Sequence, residues 1–368
     1  MTRRQFMVSA SALLMMAATG GFFASGIGQA SGSQETLPVP RLDDALWQQW
    51  RGRFVTEEGR VLDDSNGDIS HTEGQGYGML LAAFADDRAT FDRLWHWTKT
   101  TLGVRGDGLF AWRYDPREGN PISDPNNATD GDLLIAWALG AAHARWERNA
   151  DLLAGAAIAR AVIRHAIVEG EDGPLLLPAV SGFTAKDRPD GPVVNLSYWV
   201  FPAFPRLAEM VPEYDWQRLA ASGHSLIRKA RFGANDLPAE WTALGGKRMR
   251  PANGFDPVFG YNAVRVPLYL AMAGFGAFGG NRADLAPFDT LWPSNRVDPS
   301  VVDLLGRSTR SQPFGSSGYR AVPSLVRCAL RGEAYPADLT RFEEEPYYPA
   351  TLRLLAYVGA QLRYPECF

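Results

Sequence analysis

Cysteine is almost missing from this 368-residue chain, which holds only Cys328 and Cys367. A disulfide framework is thereby excluded, and a single bridge is the most that can form. Histidine is scarce too: His71, His96, His143, His165 and His224 show no HExxH pattern and no carboxylate partner at ligand spacing. No metal site is expected from them. An excess of basic residues is also lacking, since 37 Lys and Arg stand against 41 Asp and Glu. That balance argues against nucleic acid as a partner, because such binding needs a basic surface. Beyond residue 30 no stretch approaches the roughly 18 continuous apolar residues of a membrane span.

The long apolar run that does occur, Val8 to Phe23, lies at the N-terminus behind Thr2-Arg3-Arg4-Gln5-Phe6-Met7. This twin-arginine pattern, with the small residues Gly28-Gln29-Ala30 at a cleavage point, makes residues 1–30 an export signal. Its removal leaves 31–368 as the mature domain, periplasmic or secreted, with no membrane span of its own. A retained anchor is the alternative, because Ala, Ser, Thr and Gly dilute the run. The signal carries two basic residues and no acidic ones, so the remainder has 35 basic against 41 acidic residues, a net charge near −6.

Aromatic residues are plentiful, with 11 Trp, 12 Tyr and 19 Phe, and most of them serve to fill a core. Apolar spacing at i, i+3, i+4 and i+7 predicts helices near 43–54, 74–86, 89–102, 131–149, 151–168, 196–211, 214–231, 267–278, 318–331 and 348–363. Between them run three long loops rich in Gly and Pro, at 169–195, 232–261 and 293–317. Loops of that length in a compact domain are usually functional. The pattern is that of a single all-α domain of stacked helix pairs, with its long loops gathered on one face.

Two acidic clusters sit at helix entrances. In His71-Thr72-Glu73-Gly74-Gln75-Gly76-Tyr77-Gly78, Thr72 and Gln75 fit a capping box, and an acid in the first turn complements the helix dipole. Three glycines in this turn need a further reason, since each costs a helix about 1 kcal/mol relative to alanine. They read as clearance for a polymer lying against the backbone beside Glu73. In the second cluster, Asn126-Asn127-Ala128-Thr129-Asp130-Gly131-Asp132, either Thr129 or Asp130 could cap the helix. Two aspartates exceed that need. Carboxyls opposed across a cleft are the apparatus of glycoside hydrolysis.

The stretch from Ala128 through Asp130-Gly131-Asp132 to Ala142 and Trp146 resembles the signature of glycoside hydrolase family 8. Ser70 to Met79 resembles the general-acid segment of the same family. Leu109 to Arg113, Asn195 to Tyr198, Tyr261 to Pro267 and Tyr347-Tyr348 are similar to further family segments, in order along the chain. Within the family the likeness runs to endoglucanases encoded beside bacterial cellulose synthases. The resemblance implies an (α/α)6 barrel and inverting, cofactor-free cleavage of a β-1,4-glucan by a monomer, with a cellulose synthase complex as a possible partner. Residue by residue, it implies Glu73 as general acid and Asp130 as the carboxylate that holds and distorts the sugar. Trp112 matches a stacking platform, Tyr198 a tyrosine that positions water, and Tyr261 and Arg265 line the same subsite; Asp132 is counted among the substrate-binding residues.

One position departs from the family. Where many relatives carry an aspartate as general base, this chain has Asn262, and an amide cannot take up a proton as a carboxylate does. Four accounts stay open. Another carboxylate replaces it, with Asp256 nearest in sequence and Glu240 more remote; Asp130 activates the water; the protein binds glucan without cutting it; or the residue was substituted to trap substrate. Asp256 lies in Gly-Phe-Asp-Pro, an ordinary turn sequence. Chitosan or xylan is the alternative substrate within the family. A general acid must stay protonated near working pH, so desolvation or the charge of Asp130 must raise Glu73 by roughly two pK units against the helix dipole. An activity optimum on the acid side is expected.

Overall fold

A computed structural model describes residues 37–291, 299–306 and 312–368. The export signal read at 1–30 and parts of the loop read at 293–317 lie outside the described residues. Within them the chain forms α1 (Asp44–Phe54), α2 (Thr72–Phe84), α3 (Arg88–Trp97), α4 (Thr129–Trp146), α5 (Asn149–Ala166) and α6 (Phe204–Met210). There follow α7 (Trp216–Lys229), α8 (Arg265–Ala273), α9 (Arg282–Asp289), α10 (Ala321–Arg331) and α11 (Tyr347–Arg363). From α1 to α9, helices with an exposed face alternate with more completely buried helices, and α10 and α11 are both largely buried. In α1, Leu46, Trp47, Trp50 and Phe54 face inward while Gln48, Gln49 and Arg53 face water. In α2, Glu73 is the only residue not fully buried, and all nine residues of α8 are buried. A polar-faced helix outside and an apolar helix inside is the burial pattern of stacked helix pairs. None of these helices is long and apolar enough to cross a membrane.

The glycines of α2 serve this packing, and not a passing polymer. A Cβ on Gly76 would stand 2.5 Å from Cβ of Leu134, and one on Gly78 would stand 2.8 Å from Val61. All three glycines are buried, and none lines the cavity described below. Gly76 lets α2 lie against α4 more closely than any side chain would allow, Gly78 makes room for Val61 and Leu94, and this packing offsets their poor helix propensity. The expected caps are also replaced. His71 caps α2, its Nδ1 accepting the N–H of Gly74 at 3.0 Å. Gln75 turns inward, where its Oε1 accepts the N–H of Val61 at 2.6 Å and its Nε2 donates to Thr98 Oγ1 at 2.8 Å. Ala128 begins α4 without a side-chain cap, because the Thr129 hydroxyl donates instead to the Leu177 carbonyl at 2.8 Å.

The helix expected over 196–211 is broken into 3-10 turns at Leu196–Tyr198 and Phe201–Ala203 before α6. Pro202 and Pro205 explain this, since proline lacks the N–H that a continuous helix needs. Helix α9 was not expected from apolar spacing, although Asn281 and Asp284 form a capping box that marks its start. The loops between helices carry short antiparallel strands that lead into the site. Ser70–His71 pairs with Arg113–Tyr114 just before Glu73. Val193–Val194, in a three-stranded sheet with Thr242–Ala243 and Arg250–Pro251, precedes Tyr198. Val258–Phe259, paired with residues of Ser300–Asp303, precedes Tyr261. Cys328 in α10 and Cys367 near the C-terminus form the single bridge the composition permits.

Candidate active site

Glu73 and Asp130 are brought together by the close approach of two helix entrances. A Cβ on Gly131 would stand 2.1 Å from Thr72 Oγ1 and 2.8 Å from the backbone nitrogen of Glu73. Only glycine fits there, so the first turn of α4 touches the first turn of α2. Arg265, the first residue of α8 and 1% exposed, reaches into this junction. Its Nη1 donates to Glu73 Oε2 and also to Asp130 Oδ2, the latter at 2.7 Å. Its Nη2 donates to Asn262 Oδ1 at 2.9 Å, and its guanidinium lies 5.6 Å from the ring centre of Tyr198. Asp130 Oδ1 accepts the N–H of Gly131 at 2.8 Å. One guanidinium thus ties residues from α2, α4 and the turn before α8.

Burial raises the Glu73 carboxyl, Arg265 opposes that rise, and the charge of Asp130 adds to it; the result is pushed up to about 7. Glu73 therefore carries a proton over much of the neutral and acid range while standing at the edge of open space. Asp132 is also pushed up to about 7 by burial, against hydrogen bonds from Asn127 and the Phe110 backbone. It serves a different purpose. Asp132 is fully buried, accepting the Phe110 N–H at 3.1 Å and Asn127 Nδ2 at 2.9 Å, and it does not line the cavity. The expected substrate contact at Asp132 is corrected to a structural one: it anchors the loop that carries Trp112.

The cavity measures about 620 Å³. Glu73, Asp130, Asn262, Arg265, Trp112, Tyr198 and Tyr261 all line it. Trp112 is steadied by its Nε1, which donates to Asp124 at 2.9 Å. Elsewhere on the wall, Phe314 stacks on Tyr319 at 4.6 Å between ring centres, Tyr261 lies 4.9 Å from Phe314, and Tyr348 donates to the Tyr261 carbonyl at 2.7 Å. His71 Nε2 stands 3.5 Å from Asp63 Oδ2, and both residues line the cavity beside Glu73. His71 adjoins the acidic cluster in sequence and was open to notice. Asp63, Phe314 and Tyr319 carry no local signal, because distant loops deliver them.

Asp256 is not brought to the site; it is exposed in a turn and does not line the cavity. The more remote Glu240 is the acid that meets position 262. Its Oε1 accepts the N–H of Asn262 at 2.7 Å, and its Oε2 lies 3.3 Å from Asn262 Nδ2.

Flat aromatic faces suit the C–H-lined faces of sugar rings, and a protonated carboxyl beside a charged one can protonate a bridging oxygen. Set at one mouth of an (α/α)6 barrel, this arrangement is that of an enzyme that cleaves glycosidic bonds. Comparison with known proteins agrees. Residues 28–361 match the profile of Glycosyl hydrolases family 8. A probable endoglucanase of Novacetimonas hansenii is 37% identical over 329 residues, covering 88% of this chain and 92% of that protein. An endoglucanase of Cellulomonas uda is 40% identical over 235 residues, 63% of this chain, and the match spans 65% of that relative's length. A crystal structure of a GH8 endo-beta-1,4-glucanase from an Achatina fulica gut metagenomic library superposes with a TM-score of 0.78 at 35% identity, covering 86% of this chain and 98% of that one. The chain belongs to family 8 of the glycosyl hydrolases.

Proposed function

We propose that the protein hydrolyses internal β-1,4 bonds of a glucan such as cellulose by single displacement with inversion. Glu73 protonates the leaving oxygen, Asp130 holds the sugar at the cleaved bond, and Trp112 and Tyr261 supply ring faces to neighbouring sugars. The observation that carries this reading is the Glu73 carboxyl, raised to about 7 at the wall of a cavity with Asp130 on the same guanidinium. The decisive experiment incubates residues 31–368 with carboxymethylcellulose and counts reducing ends, beside Glu73→Gln. Release by the native protein, lost by about 100-fold or more in the variant, is expected from the scale of general-acid catalysis. A native protein that binds the polymer but releases nothing would sink the hydrolytic reading and leave a glucan-binding accessory role.

The names of the relatives favour glucan over chitosan or xylan as the substrate. Residues 1–30 act as a twin-arginine export signal, and 31–368 work as one monomeric domain in the periplasm or outside the cell. The compact unit from Leu37 to Phe368 and the Cys328–Cys367 bridge support this, since disulfides persist in oxidising compartments. A link to bacterial cellulose synthesis is supported by the Novacetimonas relative and by the resemblance to endoglucanases encoded beside cellulose synthases.

A further inference from the structure

Asn262 stands where a proton acceptor for the attacking water is needed, and the carboxylates around it differ sharply in what they can do. Asp130 is excluded by geometry. Its Oδ2 and Glu73 Oε2 bond the same Arg265 nitrogen, which holds the two carboxyls far closer than the roughly 6.5–9.5 Å that leaves room for water in an inverting pair. Asp256 is exposed and does not line the cavity. Asp63 also lines the cavity, but its oxygens are engaged by the His71 ring, the Asn66 side chain and the Ser65 N–H. Glu240 is the carboxylate that bonds Asn262 itself, set directly behind it.

We infer that Glu240 is the proton sink for the attacking water, reached through the side-chain amide of Asn262. The inference rests on the hydrolytic reading above.

The orientation of the amide is set by its partners. Arg265 Nη2 can only donate, so Asn262 presents Oδ1 to it, at 2.9 Å, and turns Nδ2 toward the Glu240 carboxylate at 3.3 Å. The second lone pair of Oδ1 is available to a water in the cavity that Asn262 lines. Glu240 is locked by the Asn262 N–H at 2.7 Å, and a Cβ on Gly260 would stand 2.8 Å from Glu240 Oε1, so the backbone is thin where the carboxylate rests. Burial raises the Glu240 carboxyl, while hydrogen bonds from Asn262 and the charge of Arg265 hold it down; the balance is upward, which favours proton uptake. The Tyr198 hydroxyl is a further titratable group close enough to feel its charge.

The step balances as follows. The water oxygen bonds to the anomeric carbon as the bond from that carbon to the leaving oxygen breaks. The leaving oxygen takes the proton of Glu73. The water gives its proton to Asn262 Oδ1 while Asn262 Nδ2 passes one to Glu240, so that the amide becomes an imidic acid and Glu240 becomes neutral. After product leaves, Asn262 Oδ1 releases its proton to solvent, Nδ2 recovers one from Glu240, and Glu73 is reprotonated from solvent.

The test measures kcat, KM and pH profiles on carboxymethylcellulose for the native protein, Glu240→Gln, Asn262→Leu, and the double variant Glu240→Gln with Asn262→Asp. Glu240→Gln is expected to lower kcat by about 100-fold with KM within about threefold, and to abolish the acid limb of the profile. Asn262→Leu cuts the relay at its other member and gives the same loss, which keeps the question answerable if Glu240→Gln folds poorly. The double variant puts a carboxylate back at the water and regains at least about tenfold over Glu240→Gln. A Glu240→Gln protein with kcat within about threefold of native, or with its acid limb intact, overturns the inference, as does Asn262→Leu at native rate. So does a folded double variant no better than the single one. If the native protein itself releases no reducing ends, it is the hydrolytic reading that fails; if it is active and indifferent to residue 240, only the relay fails.

Discussion

At the scale of the residue, burial and the opposing charge of Arg265 together set how Glu73 titrates. Glu73 has a raised carboxyl, so it is protonated below about 7 and loses its proton above it; the acid needed for catalysis is present on the low-pH side. The rate is therefore expected to fall as pH climbs through about 7, giving an alkaline limb in a plot of kcat against pH. Arg265 holds Glu73 down from the still higher value burial would impose. Arg265→Ala should shift that limb to higher pH while lowering stability by about 3–5 kcal/mol, because two buried carboxyls lose their counter-charge. A pH profile and a urea titration of the variant check both effects. An alkaline limb that stays in place would show that another group controls it.

At the scale of the element, the contact between α2 and α4 sets the catalytic geometry. Gly131 is where the two helix entrances touch, and its missing side chain lets Glu73 and Asp130 share one guanidinium. Gly131→Ala improves intrinsic helix propensity by about 1 kcal/mol, yet it must push the first turns apart. The expected outcome is a kcat at least tenfold lower, with a melting temperature reduced by overpacking worth about 1–3 kcal/mol. Gly76→Ala strains the same interface one turn further in, against Leu134, and should cost stability with a smaller loss of rate. Comparing melting curves with turnover for the two variants separates packing from placement. Equal losses of rate would argue against a special role for the entrance glycine.

At the scale of the whole molecule, the C-terminal segment is tied back to α10. The Cys328–Cys367 bridge closes a loop of 39 residues between α10 and the C-terminus. By chain entropy such a crosslink stabilises by about 4 kcal/mol, so the reduced protein should unfold at measurably lower denaturant concentration than the oxidised one. A denaturation curve with and without a thiol reductant reads this directly. Identical midpoints would mean that the bridge adds nothing to stability.

Much of this molecule was legible one residue at a time. Helix spans follow the spacing of apolar side chains, and Glu73 and Asp130 sit in helix first turns that the same spacing locates. Other features were not local. Asp130 and Asp132 look equivalent in the chain, but two steps along a helix of 3.6 residues per turn set them on nearly opposite faces, one toward the cavity and one toward Asn127 and Phe110. Asp256 is six residues from Asn262 and does not reach the cavity, whereas Glu240, 22 residues away, grips it through two hydrogen bonds. The glycines around Glu73 read as room for a ligand and proved to be room for neighbouring protein, Leu134 of α4 at Gly76 and Val61 at Gly78. The sequence by itself determined which segments become helices and which acids stand at their mouths, because both depend on neighbours a turn apart. Only the tertiary structure decided which acid faces the cleft and which carboxylate backs Asn262, because those depend on how closely separate helices and loops pack.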